Sequence, residues 1–160
     1  MASRATPADQ RAELADQRRR VDFDTYDITV DELLRRVARQ RIDIAPVYQR
    51  QFRWNEERQS RLVESVLLGI PVPPLFMATN SSSDTLNQWE VVDGLQRLLT
   101  LANFAGDSDV RGAAKLESAD PLTLTDMDKL HQFEGFKFES LADDIRSSFE
   151  DGCGSSGVSR

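Results

Sequence analysis

Residues Val91, Val92, Asp93, Gly94, Leu95, Gln96 and Arg97 follow one another in a pattern that can do chemistry. The β-branched approach ends in Asp-Gly and passes at once into helical spacing (Leu98, Leu101, Ala102), which predicts a strand that turns sharply into a helix. Arg97 then sits in the first helical turn. Such a turn binds anions: Gly94 lets the backbone come close to a ligand, the first amides of the helix lack internal partners, and the helix dipole adds to the charge of Arg97. A plain strand-to-helix turn has the same local sequence. A second arginine-bearing element, Tyr48-Gln49-Arg50-Gln51-Phe52-Arg53-Trp54, favours the anion site.

Both segments need a scaffold that brings them to one place. Thr29 to Glu32 fits a capping box, and Leu33, Leu34, Val37 and Ala38 recur at helical spacing, so a first helix is expected over about 30–40. Ile42 and Ile44 alternate with polar residues, predicting a short strand over 41–45 that feeds the Tyr-Gln-Arg segment. Asn55 can cap a helix whose apolar face is Leu62, Val63, Val66, Leu67 and Ile70, with Gly69 and Pro71 to stop it. Strands are expected at 75–78 and 89–92, separated by a Ser-rich loop over 80–87. Strand, helix, strand, strand, helix in this order predicts a small mixed α/β sheet with the arginine segments at strand ends. Further on, residues 125–133 are expected as one helix, Phe136 and Phe138 as a short strand, Ser140 to Asp143 as a capping box, and Leu141, Ile145 and Phe149 as the face of a last helix. Residues 1–20 are expected as a mobile or loosely helical charged arm, and 151–160 as a flexible Gly- and Ser-rich tail.

Composition narrows the functions. The chain has 160 residues, 39% hydrophobic and 29% charged, which suits one globular domain. Its formal net charge of -7 argues against strong autonomous binding of nucleic acid by bulk electrostatics. A single cysteine, Cys153, and a single histidine, His131, are too few for a zinc cluster or an HNH-type nuclease centre in this chain. No signal peptide or membrane-spanning run is read from the sequence, so a cytoplasmic protein without a membrane partner is expected.

Taken in order, Tyr48-Gln49-Arg50 with Phe52-Arg53-Trp54, the helix end running from Leu67 through Gly69-Ile70-Pro71 to Pro73-Pro74, and Val91 to Arg97 resemble the N-terminal domain of GmrSD-type restriction endonucleases. That domain belongs to the ParB and sulfiredoxin-like superfamily. The resemblance covers residues 23–105 well and the region of Phe133 to Phe149 more loosely. It implies a compact α/β (α+β) fold with a small mixed sheet flanked by helices. It also implies nucleotide binding, often with hydrolysis, and a part in defence against foreign DNA, so that this chain is expected as an NTP-binding domain and a candidate slow NTPase. Residues 21–150 would then form a ParB-like nucleotide-binding domain, with its core at 28–105 and a helical extension at 120–150. The family turn usually reads Asp-Gly-Gln-Gln-Arg, and Leu95 stands at its first Gln, which puts one polar contact to the nucleotide in question. Sulfiredoxin carries its catalytic cysteine in this turn; none lies near Gly94, so thiol repair is excluded. Full-length members continue into more helices and often a nuclease domain, so this chain resembles a detached sensing or NTPase domain.

On that reading a nucleoside triphosphate lies across the strand ends, its phosphates on the amides of Gly94, Leu95 and Gln96 and on Arg97. Arg50 closes from the other strand end, with Tyr48, Gln49 and Arg53 beside it; the planar fork of arginine matches phosphate oxygens. Asp93 has two readings, a ligand of Mg²⁺ serving the triphosphate or the N-cap of the helix. Gln49 and Gln96 orient an attacking water or only satisfy backbone groups; Asp93 and Gln96 are the catalytic candidates. Tyr48, Phe52 and Trp54 stack a base or a nucleic-acid strand, or belong to the core, the reading favoured for Trp54. Arg58 and Arg61 are expected in solvated ion pairs with Glu57 or Glu64, and His131 as structural. The rival function is a non-catalytic DNA-binding or adaptor module in which Arg50, Arg53 and Arg97 meet the DNA backbone. A third is regulatory, a short version of the domain that pairs with a full-length defence system and modulates it; a nuclease domain and a second copy of the chain are further expected partners.

Overall fold

The computed structural model describes residues 6–20, 23–44, 53–79 and 88–159. Helix α1 (Pro7–Arg20) is charged all round and has no apolar stripe to bury. Strand β1 (Phe23–Thr29) runs straight into helix α2 (Val30–Ala38), where the Thr29 hydroxyl accepts the Glu32 amide at 3.2 Å, as the capping pattern requires. The apolar face of α2, Val30, Leu33, Leu34 and Val37, is buried. Strand β2 is short (Ile42–Asp43). Helix α3 (Glu56–Leu67) starts on Asn55, whose side chain accepts the Arg58 amide at 3.0 Å, and ends two residues before Gly69, which takes the left-handed conformation at φ +68°. Strands β3 (Leu75–Thr79) and β4 (Trp89–Asp93) then lead to helix α4 (Leu95–Ala105).

With strand β5 (Cys153–Ser159) these make a five-stranded mixed sheet in the order β1-β5-β3-β4-β2. Strand β4 runs parallel to β2 and antiparallel to β3, while β5 is parallel to β3 and antiparallel to β1. The core gathers around α4: Leu98, Ala102 and Val63 are wholly buried, as is Phe149, and Phe104, Phe138 and Phe149 meet edge-on or tilted with ring centres 5.2–5.8 Å apart. Each of the larger of these side chains, the Val, Leu and Phe, contributes about 1.5–3 kcal/mol by leaving water. The architecture is the compact α/β fold with a small mixed sheet that the element order predicts.

Three expectations change. Residues 125–133 do not form one helix: Asp126 adopts a left-handed φ of +50°, and the following amides bond to the side chain of Glu64 instead of to helical carbonyls, leaving only a 3-10 turn at His131–Phe133. Phe138 opens a second 3-10 turn (Phe138–Ser140) rather than a strand, with the Ser140 hydroxyl engaged by the Lys137 backbone, so helix α6 (Asp143–Glu150) begins after Ala142 without the expected capping box. Residues 153–159, expected as part of a flexible tail, pair with β1 on one side and β3 on the other, which satisfies their backbone N–H and C=O groups in the sheet. A short helix α5 (Ser108–Ala113), capped by Asp107, joins α4 to the irregular segment and had no clear apolar period to announce it. Among the described residues no helix is long and apolar enough to cross a membrane.

Candidate functional site

The turn between β4 and α4 is built by two local devices. Pairing of β3 with β4 shifts between Phe76 and Met77, so Val92 is an extra residue in β4 and stands 61% exposed. Such a bulge bends the strand and re-aims the residues beyond it. Gly94 then takes φ +95°, a conformation closed to most L side chains. A Cβ here would also lie 2.4 Å from Leu75 Cδ2 and 2.8 Å from Arg97 Nη2. The backbone conformation favours glycine, and any side chain here would also have to displace the ends of Leu75 and Arg97. Helix α4 begins at Leu95 with no side-chain cap. Asp93 therefore does not serve as the N-cap, and its carboxylate faces Arg97 Nη2 at 3.4 Å while remaining 66% exposed.

Arg97 is turned back toward β3. Its Nη2 donates to the carbonyl of Pro74 at 2.9 Å, its side chain is only 17% exposed, and its Nε is buried with no hydrogen-bond partner. The guanidinium thus ties the Pro-rich entrance of β3 to the first turn of α4. Beside it lies an apolar cavity of about 20 Å³ lined by Val30, Leu62, Val66, Val72, Pro73 and Leu101, room for about one water and far too small for a nucleotide.

Gln96 joins the two arginine motifs. Its Oε1 accepts the amides of Arg53 at 2.8 Å and Trp54 at 3.2 Å, more than forty residues away in sequence. The carboxamide oxygen is thereby engaged in holding backbone. Arg53 is exposed and Trp54 is half-buried, its ring covered by the Arg58 guanidinium at 4.8 Å. Arg58 thus stacks on Trp54, and Arg61 pairs with Asp126 and Asp128 rather than with Glu57 or Glu64. Of the other candidates, Leu95 opens α4 and is half-buried, while Tyr48, Gln49, Arg50 and Phe52 lie outside the described residues. His131 is exposed.

Sequence reasoning missed the support behind this junction. Gln59 donates through Nε2 to the Trp54 carbonyl at 2.9 Å and accepts from Asn103 Nδ2 at 2.8 Å, and Arg111 donates to both oxygens of Asn103. The only signal for it was polar residues at positions on the apolar faces of α3 and α4. A metal cage made by protein alone is absent among the described residues, where no three His, Cys, Asp or Glu side chains converge.

No curated protein and no solved structure matches the chain. A family model does: that of the GmrSD restriction endonuclease, N-terminal domain, over residues 30–153. The match begins with the first residue of α2, ends with the first residue of β5, and takes in both arginine motifs and the glycine turn. The chain accordingly belongs to the GmrSD restriction endonuclease N-terminal domain family, and its setting is a restriction, or defence, system.

Proposed function

We propose that the outer face of the β4–α4 turn binds a nucleoside triphosphate and that its occupancy signals to a nuclease partner. The observation that carries this reading is the Gln96 bridge: it sets the end of the Tyr48–Trp54 motif against the uncapped start of α4, so that Arg53 and the helix amides serve one ligand. Helix amides and arginine forks are both suited to phosphate oxygens. The exposed Asp93 carboxylate fits Mg²⁺ that is held mainly by the phosphates themselves, since this ion commonly takes one or two carboxylates and keeps its waters. Arg50 and Gln49 belong to this proposal through the motif they share with Arg53. The reading takes the fold as ParB- and sulfiredoxin-like, and nucleotide can switch it only by favouring one arrangement of the two motifs over another.

Calorimetric titration with ATP, GTP, CTP and UTP, with and without Mg²⁺, tests the site. Arg53→Ala removes an exposed side chain and should weaken binding by tenfold or more with thermal stability unchanged, an effect within the range of charge-assisted bonds of about 1.5–3 kcal/mol. Arg97→Ala should weaken binding indirectly, by loosening the turn, and should cost about 1–2 kcal/mol of stability, because its guanidinium holds Pro74. Affinity unchanged in both variants would sink the assignment. Phosphate release measured on the same samples separates turnover from binding alone.

A further inference from the structure

Asn103 lies two helical turns beyond Gln96 on α4, so the two side chains project from the same side of the helix. Both reach the chain at Trp54, by different routes. Gln96 Oε1 takes the amides of Arg53 and Trp54, and Gln59 Nε2 takes the Trp54 carbonyl. Gln59 is in turn held by Asn103, and Asn103 by Arg111 Nη1, which reaches its side-chain oxygen at 3.0 Å and its backbone oxygen at 2.9 Å. The other arm of Arg111 donates to the carbonyls of Ser118 and Asp120. Gln59 and Asn103 are 4% and 8% exposed. Burying two carboxamides costs stability unless their groups are paired, and apolar side chains would fill the same space without that demand. What the amides add is a grip on one carbonyl.

We propose that Gln59 and Asn103 are positioning residues of the turn site and that Arg111 sets them: the backbone of Trp54 is clamped at its carbonyl by this chain and at its amide by Gln96. Affinity for the phosphate-bearing ligand then depends on three side chains that do not touch it. That consequence rests on the nucleotide reading above; the clamp itself stands on geometry.

Amide hydrogen exchange in the whole chain tests the clamp without any ligand. The Arg53 and Trp54 amides should exchange slowly although Arg53 is exposed; exchange at free-chain rates overturns the proposal. Gln59→Glu keeps an oxygen for Asn103 and loses the donor to Trp54, so it should speed exchange at these two amides and weaken ATP or GTP binding on the order of fivefold. Asn103→Ala serves the same purpose if Gln59→Glu does not fold. Arg111→Lys keeps the charge, loses the fork, and should act in the direction of Gln59→Glu; unchanged exchange there removes Arg111 from the clamp. If the unmodified chain binds no nucleoside triphosphate, the nucleotide reading falls while the exchange data still decide the clamp.

Discussion

Gly94→Ala asks one residue to take a positive φ and to place a methyl group within van der Waals overlap of Leu75 and Arg97. Backbone strain alone costs about 1–3 kcal/mol, and the displaced Leu75 and Arg97 add to it. Urea unfolding should therefore show a loss of at least about 2 kcal/mol, and a variant as stable as the parent would mean that the turn relaxes freely. At this scale the sequence was informative where a residue acts through its own backbone: Gly94, Asn55 and Thr29 do what their types and neighbours suggest. It was less informative where a side chain acts on a distant partner. Nothing local told that Gln96 would be occupied by Arg53 and Trp54, that Arg97 would turn to Pro74, or that Gln59 and Asn103 would meet.

Between elements, α3 governs the irregular segment that comes after α5. The hydroxyl of Ser60 accepts the Thr125 amide at 3.0 Å, and one turn later the buried Glu64 carboxylate accepts the amides of Asp128, Lys129 and Leu130 at 2.7–3.2 Å. Burial alone would raise the pKa of Glu64, but the Leu130, Lys129 and Asp128 amides stabilise the ionised form and bring it below its ordinary 4.5. A folded-state pKa below the unfolded one means stability that is complete above about pH 4.5 and lost as pH falls through the folded value. The urea midpoint should drop as pH falls below about 4.5, and Glu64→Gln should flatten that drop while costing about 1–3 kcal/mol at neutral pH. An equally steep acid limb in the variant would assign it to other carboxylates. The same bonds explain why α2, α3, β3, β4 and α4 were legible and residues 114–142 were not. The former carry an apolar period or a cap in their own sequence, whereas the latter are shaped by Ser60, Glu64 and Arg111 from outside.

Across the whole molecule, β5 is the strand that connects β1 to the rest of the sheet. Ending the chain after Gly152 would keep the bond from the Val30 amide to the Gly152 carbonyl and remove every backbone pair of β1 with β5. Such a variant should lose exchange protection over Phe23–Thr29 and fall in Tm by about 5 °C or more, while α4 and its core stay folded. Unchanged protection would show that β1 is held by other means. Composition hid this strand, since Gly and Ser carry little of the apolar alternation by which strands are read. Its place has a kinetic side as well. Almost the entire chain separates Phe23 from its partner Ser159, so this pairing closes one of the largest loops the polypeptide can make. The entropy of that closure must be met before the contact gives anything back, whereas α3, α4 and the β3–β4 pair join through short connections. Refolding should thus be sequential in space, the glycine turn and its arginines assembling early and the outer strand zipping on last.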